Sequence, residues 1–240
     1  NLSGNFMYAK NKVIFMDETP QPEGYEYLYL TGHPMGSSLY YQCIGINRTE
    51  EDLKNYPQMA GSGLGDYIYK DIDENGKIDA KDMLRSDLNT IPQIVFGLTA
   101  NFQYKNFDLS ILFQGQALAR LHYTPLQAPL EGNITKEMAT QSWNLDRPDA
   151  KYGRINSTNN RKESTMWLRN ASFLRLKNVE LGYNFSGKAL KTVGIKALRL
   201  YIGGYNLFTI SGLKELDPET NNTASYPLMR VFNTGVKVTF

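Results

Sequence analysis

Cysteine is almost missing from this chain: Cys43 stands alone among 240 residues. That excludes an internal disulfide framework and a cysteine-built zinc site, and leaves Cys43 as a small packing residue. Histidine is nearly as scarce, with only His33 and His122, which disfavours a histidine-rich metal centre. No run reaches the roughly 18 consecutive apolar residues of a membrane helix. Charge of one sign is not in excess either. The 26 basic and 24 acidic residues leave a net +2, too even to point to nucleic acid or another polyanion. There is no phosphate-binding Gly-x-x-x-x-Gly-Lys-Ser/Thr, and Gly61-Ser-Gly-Leu-Gly65 lacks the spacing and following helix of a dinucleotide fingerprint. With two histidines and no nucleophile elbow, a catalytic triad has little support. Sequons such as Asn133-Ile-Thr135 and Asn156-Ser-Thr158 are expected by chance in an Asn-rich chain. The chain starts at Asn1 without Met or signal peptide, which reads as a mature product or a fragment.

What is present is alternation. A mean hydropathy of −0.43 is compatible with a membrane barrel, whose strands are apolar only at every second position. Tyr (16) outnumbers Phe (11), as interfacial aromatic girdles require. The closing run Arg230-Val-Phe-Asn-Thr-Gly-Val-Lys-Val-Thr-Phe240 sends Phe232, Val236, Val238 and Phe240 to one side, with Thr234 the exception. Terminal residues of soluble domains normally fray. An apolar-faced closing strand suits a barrel that must seal its sheet toward lipid, and suggests a bacterial outer-membrane protein.

Three further stretches repeat the pattern. In Val95 to Lys105, Phe96, Leu98, Ala100, Phe102 and Tyr104 alternate with Gly97, Thr99, Asn101 and Gln103. After a tight reversal at Lys105-Asn106, Phe107, Leu109, Ile111 and Phe113 alternate with Asp108, Ser110 and Gln114. Each arm has the roughly 9–11 residues that cross a bilayer at barrel tilt. Phe173 to Phe185 sets Val179, Leu181, Tyr183 and Phe185 against Asn178, Glu180, Gly182 and Asn184. Leu198 to Phe208 is strand-like, with Gly203-Gly204 marking a bulge or a close approach. Strands of a soluble sandwich also alternate; the long arms, the short turn and the aromatic terminus favour the membrane. Gly4 to Met16 and Tyr25 to Ile46 are expected to add strands.

Connections are unequal. Ser186 to Ala197 is a modest link, with a helical turn at most at Leu190-Lys191. Residues 117–172 form a long polar and aromatic loop carrying Trp143, Tyr152 and Trp167. Barrels pair short periplasmic turns with long extracellular loops, which places 117–172 outside the cell. Its aromatics either pack the loop on itself or stack on a ligand.

Asp71-Ile-Asp-Glu-Asn-Gly-Lys-Ile-Asp-Ala-Lys-Asp82 matches the twelve-residue calcium loop. Asp71, Asp73 and Asn75 take positions 1, 3 and 5, and Gly76 makes the sharp turn. Lys77 offers its backbone carbonyl, Asp79 fills position 9, and Asp82 stands at position 12. Ile78 is the apolar anchor. Asp82 replaces the usual Glu, so a shorter reach weakens calcium or shifts preference toward Mg2+. The preceding Gly65-Asp-Tyr-Ile-Tyr-Lys70 reads as a strand, so an isolated loop holding a structural ion is expected and not a paired EF-hand. An Asp/Asn/Gly-rich solvated turn is the plainer alternative.

Taken in order, Gly32-His-Pro-Met-Gly36, Tyr40 to Ile46 and Asp66-Tyr-Ile-Tyr-Lys-Asp-Ile-Asp-Glu-Asn-Gly-Lys-Ile-Asp79 resemble the SusC/RagA family of TonB-dependent outer-membrane transporters. So do Phe96-Gly-Leu98 to Asn106-Phe-Asp-Leu-Ser-Ile-Leu-Phe-Gln-Gly115, Phe173-Leu-Arg-Leu-Lys-Asn-Val-Glu-Leu-Gly-Tyr183, Leu198-Arg-Leu-Tyr201 to Asn206-Leu-Phe208, Leu216-Asp-Pro-Glu219 and the terminal Phe240. The resemblance spans nearly the whole chain but only the family's C-terminal part. It implies an all-β fold: residues 1–240 as the C-terminal segment of a transmembrane antiparallel β-barrel of about 22 strands, plugged in its lumen. The N-terminal domain, TonB box and plug lie outside it. It implies a non-enzymatic role in TonB-dependent import of oligosaccharides or peptides across a Gram-negative outer membrane. The implied partners are a SusD-like surface lipoprotein, the TonB complex through the missing N-terminal part, and outer-membrane lipid, with no nucleic acid. Two other readings stay open: a stand-alone calcium-dependent adhesion or binding module, and a small self-sufficient outer-membrane barrel.

Overall fold

A computed structural model describes residues 1–123, 134–185, 187, 190, 192, 194–214, 216–220 and 226–240. In chain order the strands begin with β1 (Leu2–Tyr8), β2 (Ser38–Tyr41), β3 (Cys43–Ile46), β4 (Tyr67–Tyr69), β5 (Met83–Ser86) and β6 (Ile94–Tyr104). They continue with β7 (Phe107–Ala117), β8 (Arg120–His122), β9 (Leu168–Asn170), β10 (Phe173–Phe185), β11 (Ala197–Ser211) and β12 (Val231–Thr239). The chain divides into two units. One comprises residues 1–9, 90–120 and 170–240, the other residues 10–89 and 121–169.

The first unit is a six-stranded antiparallel sheet in the order β1-β6-β7-β10-β11-β12. Its long strands lie where the alternation predicts them. The first arm runs Ile94–Tyr104, the reversal pairs Tyr104 with Phe107, and Lys105 takes a left-handed φ of 51° to make the turn. The arm expected at Phe173 to Phe185 is β10, and the fourth extends to Ala197–Ser211.

Parity breaks once. Between Leu176 and Asn178 the register of β10 shifts against both neighbours, so Lys177 is an extra residue opposite the regular β7. On the β11 side the residues facing it are Asn206, at φ 52°, and Leu207. This bulge lets Leu174 and Leu176, at even positions, share a face with Val179 and Leu181, at odd ones. The bulge therefore sits at Lys177 and not at Gly203-Gly204. Gly203 is instead a close approach, since a Cβ there would lie 2.6 Å from the Asn233 side-chain oxygen.

The register also sorts the connections. Tyr8 pairs with Ile94, Ile94 with Ala117, and Phe173 with Gln116, so the long excursions leave and return at one end of the sheet. The Lys105-Asn106 turn and the start of β11 occupy the other end. Lys191 of the helical turn expected at Leu190-Lys191 and Asn133 of the first sequon lie outside the described residues.

The second unit holds short ladders, β2 with β5 and β3 with β4. From Gly4 to Met16 only Leu2–Tyr8 bounds a strand, and from Tyr25 to Ile46 the strands are four residues each. Gly32 and Gly36 with positive φ, and Pro34 between them, break longer pairing there. A helix at Glu50–Asn55 starts at Thr49, whose hydroxyl and the Asp52 carboxylate form a capping box. A second, Lys136–Gln141, is capped by Thr135. The core is aromatic: Tyr67, Tyr69, Tyr152 and Trp167 are buried, with Tyr152 stacked on Trp167 at 6.2 Å and Tyr67 edge-on to it at 5.8 Å. Polar staples join distant segments of this unit. Arg154 grips the buried Asp66 through two 2.7 Å bonds, and Asn160 accepts from the Tyr67 N–H at 2.7 Å.

Candidate functional site

The sheet has two chemically different faces, and the register assigns every side chain to one of them. On one face stand Phe102 and Tyr104 of β6, Leu109 and Ile111 of β7, Leu181 and Tyr183 of β10, Leu200 and Ile202 of β11, and Phe232 and Val236 of β12. Phe102 is 57% exposed, Ile202 59% and Phe232 72%. A contiguous apolar face of this extent has no place in water and matches the lipid-facing band of a barrel. No described helix is long and apolar enough to cross a membrane.

The opposite face is polar and ion-paired. Arg199 of β11 reaches back two strands to Asp108, its Nε donating to Oδ2 at 3.0 Å and its Nη2 to Oδ1. The same Nη2 donates to Glu180 at 2.8 Å, and Asn184 donates to Asp108 at 2.7 Å. Beyond the bulge, the buried Arg175 donates to Asp217 at 2.6 Å, Glu219 at 2.7 Å and Thr209 at 2.9 Å. Lys177 joins Glu219 at 3.0 Å. Such fully partnered charges are what a polar lumen wall carries.

The acidic loop folds on its own carboxylates. Asp71 accepts from the Gly76 N–H at 2.7 Å and the Asn75 N–H at 3.3 Å, while Asn75 accepts from the Lys77 N–H at 2.8 Å. Gly76 takes the sharp turn with φ 80°. Ile78 is buried beneath the loop. Asp82 is fully buried and accepts from the Ile72 N–H at 2.7 Å and the Asp79 N–H at 2.8 Å. Of the six candidate ligands, Asp71, Asp73 and Asp82 each present an oxygen within 4.8 Å of the others. Asp79 is not in that group: its carboxylate caps the 3-10 turn Ala80–Asp82 by accepting from the Lys81 N–H at 2.8 Å. Asn75 and Lys77 stay in the loop's own hydrogen-bond net, with the Asn75 amide donating to Asp73 at 2.8 Å.

Two residues that sequence reasoning missed brace this loop. The Tyr25 hydroxyl donates to Asp73 at 2.8 Å, and the Tyr27 hydroxyl donates to the Lys81 carbonyl at 2.5 Å. The Tyr25 hydrogen bond holds the Asp73 carboxyl below the usual carboxylate range. Nothing local announces these tyrosines, which lie almost fifty residues upstream.

The three loop aromatics have different fates. Tyr152 and Trp167 are core residues, closed to any ligand. Trp143 lines a cavity of about 580 Å³ with Arg147 and Arg154. Cys43 is a packing residue whose thiol burial pushes up to about 11, far from a nucleophile's range.

A sheet with one lipid-type face, one ion-paired face and its long connections at one end defines a class: the wall of an outer-membrane β-barrel. Known proteins narrow it. No protein-family model matches the chain. It is 27% identical to TonB-dependent receptor P3 of Formosa agariphila over 98% of its own length and 26% of that protein's. It is 28% identical to TonB-dependent receptor SusC of Bacteroides thetaiotaomicron over 72% of its length and 19% of that protein's. Among solved structures, the RagAB peptide transporter matches all of the chain and 27% of the other at a TM-score of 0.72 and 20% identity. The RagAB peptide importer in the closed-closed state matches at 0.68 and 22%. The chain is thus related to TonB-dependent receptors of the SusC/RagA type, which are not enzymes, and shares the barrel fold of their solved structures. It spans about a quarter of the length of the curated relatives it matches.

Proposed function

We propose that this chain is a wall segment of a TonB-dependent importer in the outer membrane of a Gram-negative bacterium. The carrying observation is the two-faced sheet, with exposed Phe102, Ile202 and Phe232 on one side and the Arg199–Asp108–Glu180 network on the other. Similarity to SusC and to a peptide transporter supports oligosaccharides or peptides as cargo, with a SusD-like lipoprotein as the surface partner. The long connections after β1 and after β7 leave the sheet at the end opposite the short turn, which we read as the extracellular end. Energy enters from TonB through a part of the protein outside this segment.

The acidic loop holds one structural calcium, with Asp71, Asp73 and Asp82 as carboxylate ligands. Magnesium fits less well, since it demands near-ideal octahedral geometry and keeps several waters.

The test is to isolate the full-length protein carrying this segment from native outer membranes with its partners, then follow uptake of labelled oligosaccharides and peptides in cells with and without it. Co-isolation of a surface lipoprotein and loss of uptake on deletion are expected. A soluble protein of this chain's size that binds a ligand only with calcium would overturn the reading.

A further inference from the structure

The lipid-type face is not smooth. Thr234 interrupts the apolar row of β12, directly across the ladder from Ile202. Its hydroxyl donates back to the Tyr201 carbonyl at 3.0 Å, so the polar atom is spent on the sheet. Being short, Thr234 leaves a groove of about 260 Å³ lined by Phe107, Leu181, Tyr183, Leu200, Ile202 and itself. That is below the roughly 300–1,000 Å³ of small-molecule pockets and suits a stretch of one alkyl chain. Phe107 stands edge-on to Tyr183 at 4.8 Å and Tyr183 edge-on to Phe185 at 4.7 Å, forming an aromatic step at the short-turn end.

Beyond that step lie two exposed lysines. Lys105 occupies the turn between β6 and β7, and Lys196 immediately precedes β11. The pairings of Phe107 with Tyr183 and of Phe185 with Leu198 put both at the same end of the sheet. From β7 to β11 is two strand spacings, about 10 Å. Among the described residues neither lysine is in a salt bridge. The Lys105 ammonium lies over the Tyr104 ring at 5.4 Å, which leaves it free to meet an anion. Two cations without a carboxylate partner, on the short-turn side of an apolar groove, match the two ends of one molecule.

We propose that the groove holds one acyl chain of an anionic phospholipid whose phosphate is bound by Lys105 and Lys196. The occupant is argued from charge complementarity at the rim and from continuity with the lipid-facing surface of the barrel. The inference rests on the barrel fold and is independent of transport or cargo.

The test uses the full-length protein carrying this segment, delipidated in detergent, with phosphatidylglycerol or phosphatidylcholine of identical acyl chains and native mass spectrometry as the readout. Preferential retention of one phosphatidylglycerol is expected. Lys105→Gln together with Lys196→Gln, both on the surface, should weaken it about tenfold or more, the scale of two interfacial lysines. Thr234→Phe should fill the groove and reduce both lipids alike, whereas Thr234→Val should leave retention unchanged. Equal retention of the two lipids by the unsubstituted protein would overturn the proposal, as would phosphatidylglycerol binding unaffected by the lysine changes. Disulfide capture of a second copy through Ile202→Cys would also overturn it, by showing that protein covers the face.

Discussion

Asp82 departs from the glutamate expected at the last position of a calcium loop, and under the proposed calcium reading its surroundings offset the shorter side chain. Both oxygens already hold backbone N–H groups, of Ile72 and Asp79, which draws the carboxylate inward beside Asp71 and Asp73. Asp71→Ala in the full-length protein removes a proposed ligand and the acceptor for Gly76, and calcium affinity read by calorimetry should fall at least tenfold. The loop should also be acid-sensitive in chelator-treated protein. The folded-state pKa of Asp73 is depressed, so its stabilisation is present above the ordinary carboxylate value of about 4 and is lost as pH falls through the lower folded value. Tyr25→Phe removes the main cause of that depression and should move the acid transition, followed by limited proteolysis across 71–82, to higher pH. Trp167 belongs to the same scale. Sequence alone left it undecided between loop packing and ligand stacking; it is 1% exposed. Trp167→Ala should destabilise its unit by about 3–5 kcal/mol, measured by proteolytic susceptibility in denaturant. The turn of the acidic loop was legible because its residues are contiguous in sequence. Tyr25 was not, because its partnership with Asp73 exists only after 48 intervening residues have folded.

Strands carry a second kind of legibility, since alternation alone located β6 and β10 to within a residue and the start of β7, whose end lies three residues beyond Gln114. The bulge was missed although its signal was present: apolar parity changes from Leu174 and Leu176 to Val179 and Leu181 across Lys177. Gly203-Gly204 drew attention instead because glycine is the more familiar mark of irregularity. The two short ladders of the other unit were illegible as such, since strands of three or four residues carry too few alternations to reveal their partners. The parity argument is testable. Ile111→Arg, on the lipid-type face, should cost about 2–4 kcal/mol in the folding of the full-length barrel into liposomes, whereas Ser110→Arg on the polar face should cost far less. Deleting Lys177 would carry Arg175 toward lipid, away from Asp217 and Glu219. That variant should fail to reach a heat-modifiable barrel, as seen by gel mobility. Equal behaviour of Ile111→Arg and Ser110→Arg would refute the assignment of the faces.

At the scale of the whole molecule the decisive number is six. Only six strands share the large sheet among the described residues, with β1 and β12 at its edges. Closed bacterial barrels start at eight strands. The remaining strands are three or four residues long and pair in two-stranded ladders, so they cannot complete a wall. Each open edge presents unpaired N–H and C=O groups that hydrocarbon cannot satisfy. The chain covers only about a quarter of the receptor and the transporter it resembles, which fits the proposal that it is one segment of a wall whose open edges pair with further strands. Expressed alone and refolded in detergent, these 240 residues should therefore give no heat-dependent shift in gel mobility and no conductance across a planar bilayer. A monomeric, heat-modifiable species with single-channel conductance would instead establish a self-sufficient small barrel, and would require β1 and β12 to pair with each other. Amide exchange separates the two directly: protection of the outer edges of β1 and β12 requires a partner strand, and their rapid exchange in the isolated chain is the expected outcome.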